Sequence, residues 1–404
     1  MRYPSPEDYL KAVQRRESFT TDELRRCELV PHPLYGIPMP AAGTSAVVFK
    51  AVVDGEPQAL RFFTREDRWS ADRYDALHEH FAARDLAAVV AMPTWVHDGI
   101  TVNGSTWPVV RMQWVEGHPL NKHVDELVRR GDGRALGTLA DAWLELVGRL
   151  QRAEFAHGDL QHGNVLVDDR GAMRLVDFDC SWIARFSGWP APSETGHRNY
   201  QPETRPWGRW MDTFSGLVIY TSLLALSKNP NPWHVLNTGE NLIFSREDFR
   251  PPFDTAAWAH LSGIGDRQLD QLAARITECC VPGWVAAGGL TELVAPPVLQ
   301  WWELTQVGAA RPVVPAVAAP AAPPPAARTR PVAPVPRQPG ANWWQESRPP
   351  RRVPVGWIVV TALVLGVVAG GLYTGIDDDY AAAVGLVVAV VTAIAGFIGA
   401  AVRR

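Results

Sequence analysis

The chain has 404 residues, 47% of them hydrophobic, which is enough for one large core or two lobes with further segments. Its formal net charge is −4, and no block of Lys or Arg stands out in the globular part, so the composition argues against a nucleic-acid partner. The four cysteines form no C-x-x-C pair, which argues against a zinc site or a disulfide framework and indicates a reducing compartment.

The amino-terminal part carries a helix signal and then strand signals. Residues 1–30 place Ser5 before an apolar-periodic run, which predicts a capped helical extension that packs on the following domain. Residues 41–50 predict a strand, a turn that is rich in small residues, and a second strand. The residues concerned are Ala41, Gly43 and Ala46, with Val48 on the second strand. A plain hairpin turn explains the same pattern.

Three further elements lead towards the middle of the chain. Residues 58–63 predict an apolar strand that contains the charged Arg61. Residues 71–86 have helical spacing, and Glu79 on this helix could pair with Arg61 or face solvent. Residues 109–117 predict a strand that ends in a Gly turn.

The strongest pattern lies in residues 157–179, directly after an amphipathic helix over residues 136–150. Two short apolar strands joined by a Gly-containing turn predict a hairpin that holds Asn164 and Asp177 together at its open ends. Such carboxylate and carboxamide oxygens are ligands that Mg²⁺ accepts. Asp159, just upstream, could orient an acceptor hydroxyl and take its proton. The alternative is an acidic surface hairpin with coincidental spacing.

These motifs resemble those of the protein-kinase superfamily, whose catalytic loop reads H-x-D-x-x-x-x-N and whose metal-binding Asp opens a D-F-G. Here the two motifs read HGDLQHGN over residues 157–164 and DFD over residues 177–179. The resemblance is closest to bacterial serine/threonine-kinase-like membrane proteins. It implies an α+β, two-lobe protein-kinase-like fold, with the N-lobe over residues 31–115 and the C-lobe over residues 116–304.

The same resemblance implies that ATP binds between the lobes together with Mg²⁺. Asp159, Asn164, Asp177 and Arg61 would then be catalytic, with Asn164 and Asp177 holding the metal. Arg61 stands where the family has the Lys that contacts the nucleotide phosphates, and Lys50 either substitutes for it or faces solvent. The nucleotide-contacting positions would be Gly43, Ala46, Val48, Ala59 and Arg61, with Gln113, Trp114 and Val115 at the hinge between the lobes.

Three functions compete on this basis. We predict a protein kinase that transfers the γ-phosphate of ATP to Ser or Thr of an unidentified protein substrate. A pseudokinase scaffold that binds nucleotide without efficient transfer is favoured by Arg61, Gln161 and Asp179, which replace Lys, Lys and Gly of the family. A small-molecule phosphotransferase is favoured by Gly158 in the first motif. In each case the resemblance implies that Asp212, before an apolar helix, holds the backbone of the catalytic loop.

The carboxy-terminal part changes character. Residues 305–354 are rich in Pro and Ala, which predicts a disordered, semi-rigid linker. Residues 355–374 and 380–402 are mostly apolar, and each approaches the ~20 residues of a transmembrane helix. Arg residues flank the pair, so we expect a multi-pass cell-membrane protein with its kinase-like domain in the cytoplasm, a soluble helical hairpin being the alternative. Glycines in the first run are compatible with close helix packing or a homodimer.

Overall fold

The computed structural model describes residues 2–43, 45–66 and 69–295, which form a mixed α+β structure with antiparallel sheets. The predicted linker and the two apolar runs lie outside the described residues, as do residues 296–304 of the predicted C-lobe. No helix within the described ranges is long and apolar enough to cross a membrane.

Two short helices precede the sheet, α1 (Pro6–Val13) and α2 (Asp22–Arg25). Ser5 begins α1 with a reciprocal cap, because its hydroxyl accepts from the Asp8 N–H and its own N–H donates to the Asp8 carboxylate. Tyr9 on α1 is fully buried, and its hydroxyl donates to the carbonyl of Phe63 at 2.8 Å. The predicted capped helix and its packing on the following part of the chain are therefore confirmed.

The first sheet is antiparallel and has six strands within the described residues. Its strands are β1 (Glu28–Leu29), β2 (Ala41–Ala42), β3 (Ala46–Val53), β4 (Glu56–Phe63), β5 (Pro93–Val102) and β6 (Ser105–Gln113). They pair in the order β1-β3-β4-β6-β5, and β2 also pairs with β3. Residues 71–86, predicted as a helix, contain most of α3 (Ser70–Ala83), which packs against β5.

The two faces of this sheet serve different cores, since successive side chains of a strand point to opposite sides. One face packs against the amino-terminal extension and carries Val47, Phe49, Leu60, Phe62 and Val109. The opposite face joins the core shared with α3 and the helical part and carries Ala46, Ala59, Val110 and Met112. Arg61 lies between Leu60 and Phe62 on β4, so alternation places it on this second face.

The remaining described residues are mainly helical. Their helices are α4 (Leu120–Arg130), α5 (Gly133–Arg152), α6 (Thr213–Lys228), α7 (Trp233–Leu236), α8 (Ala256–Ile264), α9 (Arg267–Cys279) and α10 (Leu290–Val294). Helix α6 is apolar and buried along nearly its whole length, as expected for a central helix. The indole of Trp143 on α5 donates to the carbonyl of Gly216 on α6 at 2.9 Å, which fixes the contact between these two helices.

Five short strands accompany these helices. They are β7 (His118–Pro119), β8 (Phe155–Ala156), β9 (Val165–Val167), β10 (Met173–Leu175) and β11 (Trp182–Ile183). Strand β9 pairs with both β10 and β7, and β8 pairs with β11, all antiparallel. The pairing of Val165 with Leu175 confirms the hairpin predicted for residues 157–179.

The substitution Tyr9→Phe should lower the free energy of unfolding of the full-length chain by about 1–2 kcal/mol, because the buried Phe63 carbonyl loses its donor. Urea denaturation measures this difference. Tyr35→Phe is a matched control, since it removes the same atom from a ring that is 50% exposed, and we expect a change within about 0.5 kcal/mol. Equal stability of the two variants would contradict a role for the Tyr9 hydroxyl.

Candidate functional site

The open ends of the β9–β10 hairpin place Asn164 and Asp177 side by side. Asn164 directly precedes β9, and its carbonyl accepts a hydrogen bond from the N–H of Val176 at 3.1 Å. Val176 follows β10 and is followed in turn by Asp177. The backbone ladder of the hairpin therefore extends by one further bond, and both residues lie at the same open end of the hairpin, as predicted.

Asp177 has an unusual backbone conformation that is held by its neighbour. Its φ of 68° lies in the left-handed region, which Asp tolerates better than most residues. The next residue, Phe178, is 2% exposed and packs its ring 5.2 Å from Phe81 of α3 and 5.6 Å from His157. The buried Phe178 ring anchors the turn and thereby fixes the backbone position of Asp177, whose side chain is 41% exposed.

Asp159 lies next to Asn164 and is held by two donors. One carboxylate oxygen accepts from the Asn164 amide nitrogen at 2.9 Å, and the other accepts from the backbone N–H of His197 at 2.6 Å. The Asn164 amide nitrogen also donates to the carbonyl of Asp159 at 3.0 Å. Both amide hydrogens of Asn164 are thus used, so its carboxamide oxygen is the atom left for a ligand.

Asp212 fixes the backbone at the start of the loop that runs from His157 to Asn164. It is 2% exposed, and its two carboxylate oxygens accept from the N–H groups of His157 and Gly158. Arg205 adds a bond from its guanidinium to the carbonyl of Gly158 at 2.8 Å. Burial raises the pKa of Asp212, an effect opposed by His157, Arg205 and the two backbone donors. The expected role of Asp212 as a brace of the loop is confirmed.

Arg61, on strand β4 of the first sheet, contacts the segment that follows β10. It pairs in register with Val48 of β3 and is only 5% exposed. One guanidinium nitrogen, Nη1, donates to Asp177 at 2.9 Å, and the other, Nη2, donates to Asp179. Burial acts to lower the pKa of Arg61, but the two carboxylates outweigh it and hold that pKa well above its ordinary value.

Asp179 and Tyr74 complete this cluster, and their contacts with each other and with Arg61 were not predicted. The hydroxyl of Tyr74 on α3 donates to Asp179 at 2.6 Å, and the hydroxyl of Ser45 donates to the other carboxylate oxygen at 3.3 Å. Burial raises the pKa of Asp179, an effect that Arg61 opposes. Burial also raises the pKa of Tyr74 well above its ordinary value, so the phenol stays protonated and remains a donor. The sequence signal that could have indicated the Arg61–Asp179 contact is that both residues differ from the kinase motifs, which have Lys and Gly at these positions.

Of the two alternatives for Glu79, the solvent-facing one is confirmed, and Glu79 does not pair with Arg61. Glu79 instead binds Arg185 at 2.7 Å on the surface, with 69% of its side chain exposed. The buried face of α3 carries Tyr74, Leu77 and Phe81, and Glu79 lies on the opposite face. Helix α3 therefore presents a phenol, not a carboxylate, to the cluster.

Lys50 does not join the Arg61 cluster. Its ammonium binds Glu116 at 2.7 Å and lies 4.7 Å from the ring centre of Trp114. Lys50 thus contacts Trp114 and Glu116, which follow β6 at the strand end that was predicted as a hinge.

The positions predicted to contact a nucleotide lie on or beside β3 and β4 and at or directly after the end of β6. Ala46, Ala59 and Val115 are buried, Val48 is half-buried, and Gly43 lies in the exposed turn between β2 and β3. The Trp114 N–H donates to the carbonyl of Pro57 at 3.0 Å. The side chain of Gln113 accepts from Arg174 at 2.9 Å. Val115 follows them in the chain, and its N–H donates to no backbone carbonyl within residues 2–43, 45–66 and 69–295.

The donor set at the hairpin fits a magnesium–nucleotide group. In the part of the chain that the structure describes, no cluster of three or more His, Cys, Asp or Glu could hold a metal by itself. Mg²⁺ typically takes only one or two protein oxygens and completes its shell with phosphate and water. The side-chain oxygens of Asn164 and Asp177 could supply the protein ligands. The buried Nε of Arg61 has no acceptor among the described residues, so the guanidinium has donor capacity left for an anion.

Comparison with known proteins gives one partial match. No family model matches the chain. The serine/threonine-protein kinase PksC of Streptomyces coelicolor is 35% identical over 83 residues, which is 19% of this chain and 14% of that protein. The match supports a relationship to kinases over this short stretch and specifies no activity for the whole chain.

The segment around His197 can be tested through Gly196, whose φ is +82° and whose added Cβ would lie 2.6 Å from the Gly158 carbonyl. Gly196→Ala should therefore lower the free energy of unfolding by about 1–3 kcal/mol more than the control Gly171→Ala. Gly171 has nearly the same φ, +81°, and nothing within 4 Å of an added Cβ, so it isolates the contact from backbone strain. Equal losses, measured by urea denaturation, would show that the segment does not pack on the loop as described.

Proposed function

We propose that this chain has a two-lobe kinase-like fold that binds ATP with Mg²⁺ and transfers the γ-phosphoryl group to a protein Ser or Thr hydroxyl. The observation that carries the proposal is the meeting of Asp159, Asn164 and Asp177 at one edge, opposite the buried Arg61. Base, metal ligands and phosphate-facing cation are the parts that phosphoryl transfer requires. The short similarity to a serine/threonine kinase adds support from sequence.

Each residue would have a distinct task. When bound, ATP with Mg²⁺ supplies an activated phosphoryl group. Asn164 and Asp177 would hold the cation through their free oxygens, and Arg61 would neutralise phosphate charge. Asp159 would orient the acceptor hydroxyl and take its proton, a role typically worth about 10²–10⁴ in rate. The Asp212 brace keeps the loop in place, so these tasks need little rearrangement of the backbone.

A scaffold that binds nucleotide without transfer is the second candidate, and two contacts favour it. Arg61 already satisfies a carboxylate oxygen of Asp177, which reduces the charge available to a cation. The N–H of His197 occupies an oxygen of Asp159 that an acceptor hydroxyl would need. In that case ATP would bind and stabilise the chain, while the phosphoryl group would stay on the nucleotide.

The deciding experiment incubates the full-length chain with γ-labelled ATP and Mg²⁺. We expect label on protein, and we expect Asp159→Asn to reduce its rate by about 10² or more. Asp169→Asn is the matched control, because the same atoms change on the exposed turn of the same hairpin, and its rate should equal that of the unaltered chain.

The other outcomes separate the candidates. No label, with ATP still raising the melting temperature, would favour the scaffold. Label on an added small molecule but never on protein would contradict a protein acceptor. Neither label nor ATP binding would contradict both nucleotide functions.

A further inference from the structure

The two carboxylates that bind Arg61 are not equivalent. Asp177 has 41% of its side chain exposed, whereas Asp179 has 18% exposed and receives two further donors, Tyr74 and Ser45. A cation at the hairpin would compete with Arg61 for Asp177, because both need its oxygens. Asp179 lies away from Asn164's edge of the hairpin, on the side of α3. It is therefore the partner that Arg61 can keep.

The choice of Arg over Lys follows from this division. A guanidinium is a planar fork that can donate to two separate acceptors from two nitrogens, whereas an ammonium is a compact point charge. Here Nη1 donates to Asp177 and Nη2 to Asp179. If Asp177 turns to a cation, Nη1 becomes available to a phosphate oxygen while Nη2 stays bound. The fork thus combines anchoring and anion contact in one side chain.

We propose that Asp179 is a positioning residue that holds Arg61 against the nucleotide phosphates, in place of an acidic residue on α3. This inference rests on the proposed nucleotide function and adds to it a residue to which the family resemblance gives no role. Glu79, the acid on α3 that the sequence offered as one possible partner of Arg61, binds Arg185 instead. The link from Arg61 to α3 runs through Asp179 and the Tyr74 hydroxyl.

Tyr74 gives Asp179 a rigid support. Its ring is 2% exposed and lies 5.8 Å from Trp95 and 6.1 Å from Phe63, measured between ring centres. Such packing leaves the phenol little freedom, so its hydroxyl stays directed at Asp179. The position of the Asp179 carboxylate is thereby tied to α3 and to the sheet.

The test measures the dissociation constant of ATP with Mg²⁺ for the full-length chain and three variants: Asp179→Asn, Arg61→Ala and the double variant. Asp179→Asn should weaken ATP binding by about tenfold, as expected when a charged hydrogen-bond partner is lost. The double variant should bind no more weakly than Arg61→Ala alone, because Asp179 acts only through Arg61. Asp75→Asn, an exposed acid one residue after Tyr74, is the matched control and should leave the constant unchanged.

Other outcomes would overturn the inference. Tighter ATP binding by Asp179→Asn would show that Asp179 withholds Arg61 from the nucleotide. An unchanged constant with a lower melting temperature would show a purely structural role, and independent, multiplying losses in the double variant would show that Asp179 does not act through Arg61.

Tyr74→Phe keeps the inference testable if Asp179→Asn fails to fold, since it removes one hydroxyl and keeps the packed ring. We expect a few-fold weakening of ATP binding, which the Arg61→Ala background should abolish. An unchanged dissociation constant would count against the proposal.

If the unaltered chain binds no ATP, the proposed function fails and this inference fails with it. If it binds ATP and the Asp179 variants do not differ from it, the inference alone fails.

Discussion

The buried guanidinium of Arg61 is the constraint on which the arrangement of this site depends. An isolated charge removed from water costs several kcal/mol, so a residue only 5% exposed must have partners of opposite charge. Asp177 and Asp179 supply them from the segment that follows β10. Strand β4 and the β9–β10 hairpin, more than a hundred residues apart in sequence, are thereby drawn to one place.

Several other features follow from that meeting. Phe178 lies between the two acids and enters the core beside α3 and His157, so the same segment that neutralises Arg61 also packs against the loop that begins at His157. Asp212 then holds the other side of that loop through two backbone N–H groups. The polar site is consequently supported by packed rings on one side and a buried carboxylate on the other. Phe178 and Asp212 are each only 2% exposed, so buried contacts hold the backbone that carries the polar side chains.

The sequence predicts the parts of this structure that local patterns determine. The β9–β10 hairpin, the capped helix α1 and the amphipathic helix α5 depend on turn residues, caps and spacing within a few residues of each other. The meeting of Asn164 and Asp177 follows from the hairpin alone. The spacing of Tyr74, Leu77 and Phe81 also contained the information that Glu79 faces away from the core, because a helix presents one apolar face.

The partners of Arg61 and Asp159 could not be predicted in the same way. Asp179 is 118 residues from Arg61, and His197 is 38 residues from Asp159, so no periodicity connects them. Their meeting depends on how the sheet, α3 and the segment after the hairpin pack together. A backbone donor such as the His197 N–H also leaves no trace in residue type. The residues at positions 61 and 179 differ from those of the kinase motifs that the sequence resembles. Only the packing reveals that Arg61 and Asp179 bind each other.

The most direct test is an experimental structure of the full-length chain with Mg²⁺ and a non-hydrolysable ATP analogue. We expect the cation on the Asn164 and Asp177 oxygens, and Arg61 in contact with a phosphate oxygen while still bound to Asp179. A nucleotide bound elsewhere, or one bound at the hairpin with Arg61 still paired to Asp177, would contradict a site in which these residues handle the phosphates.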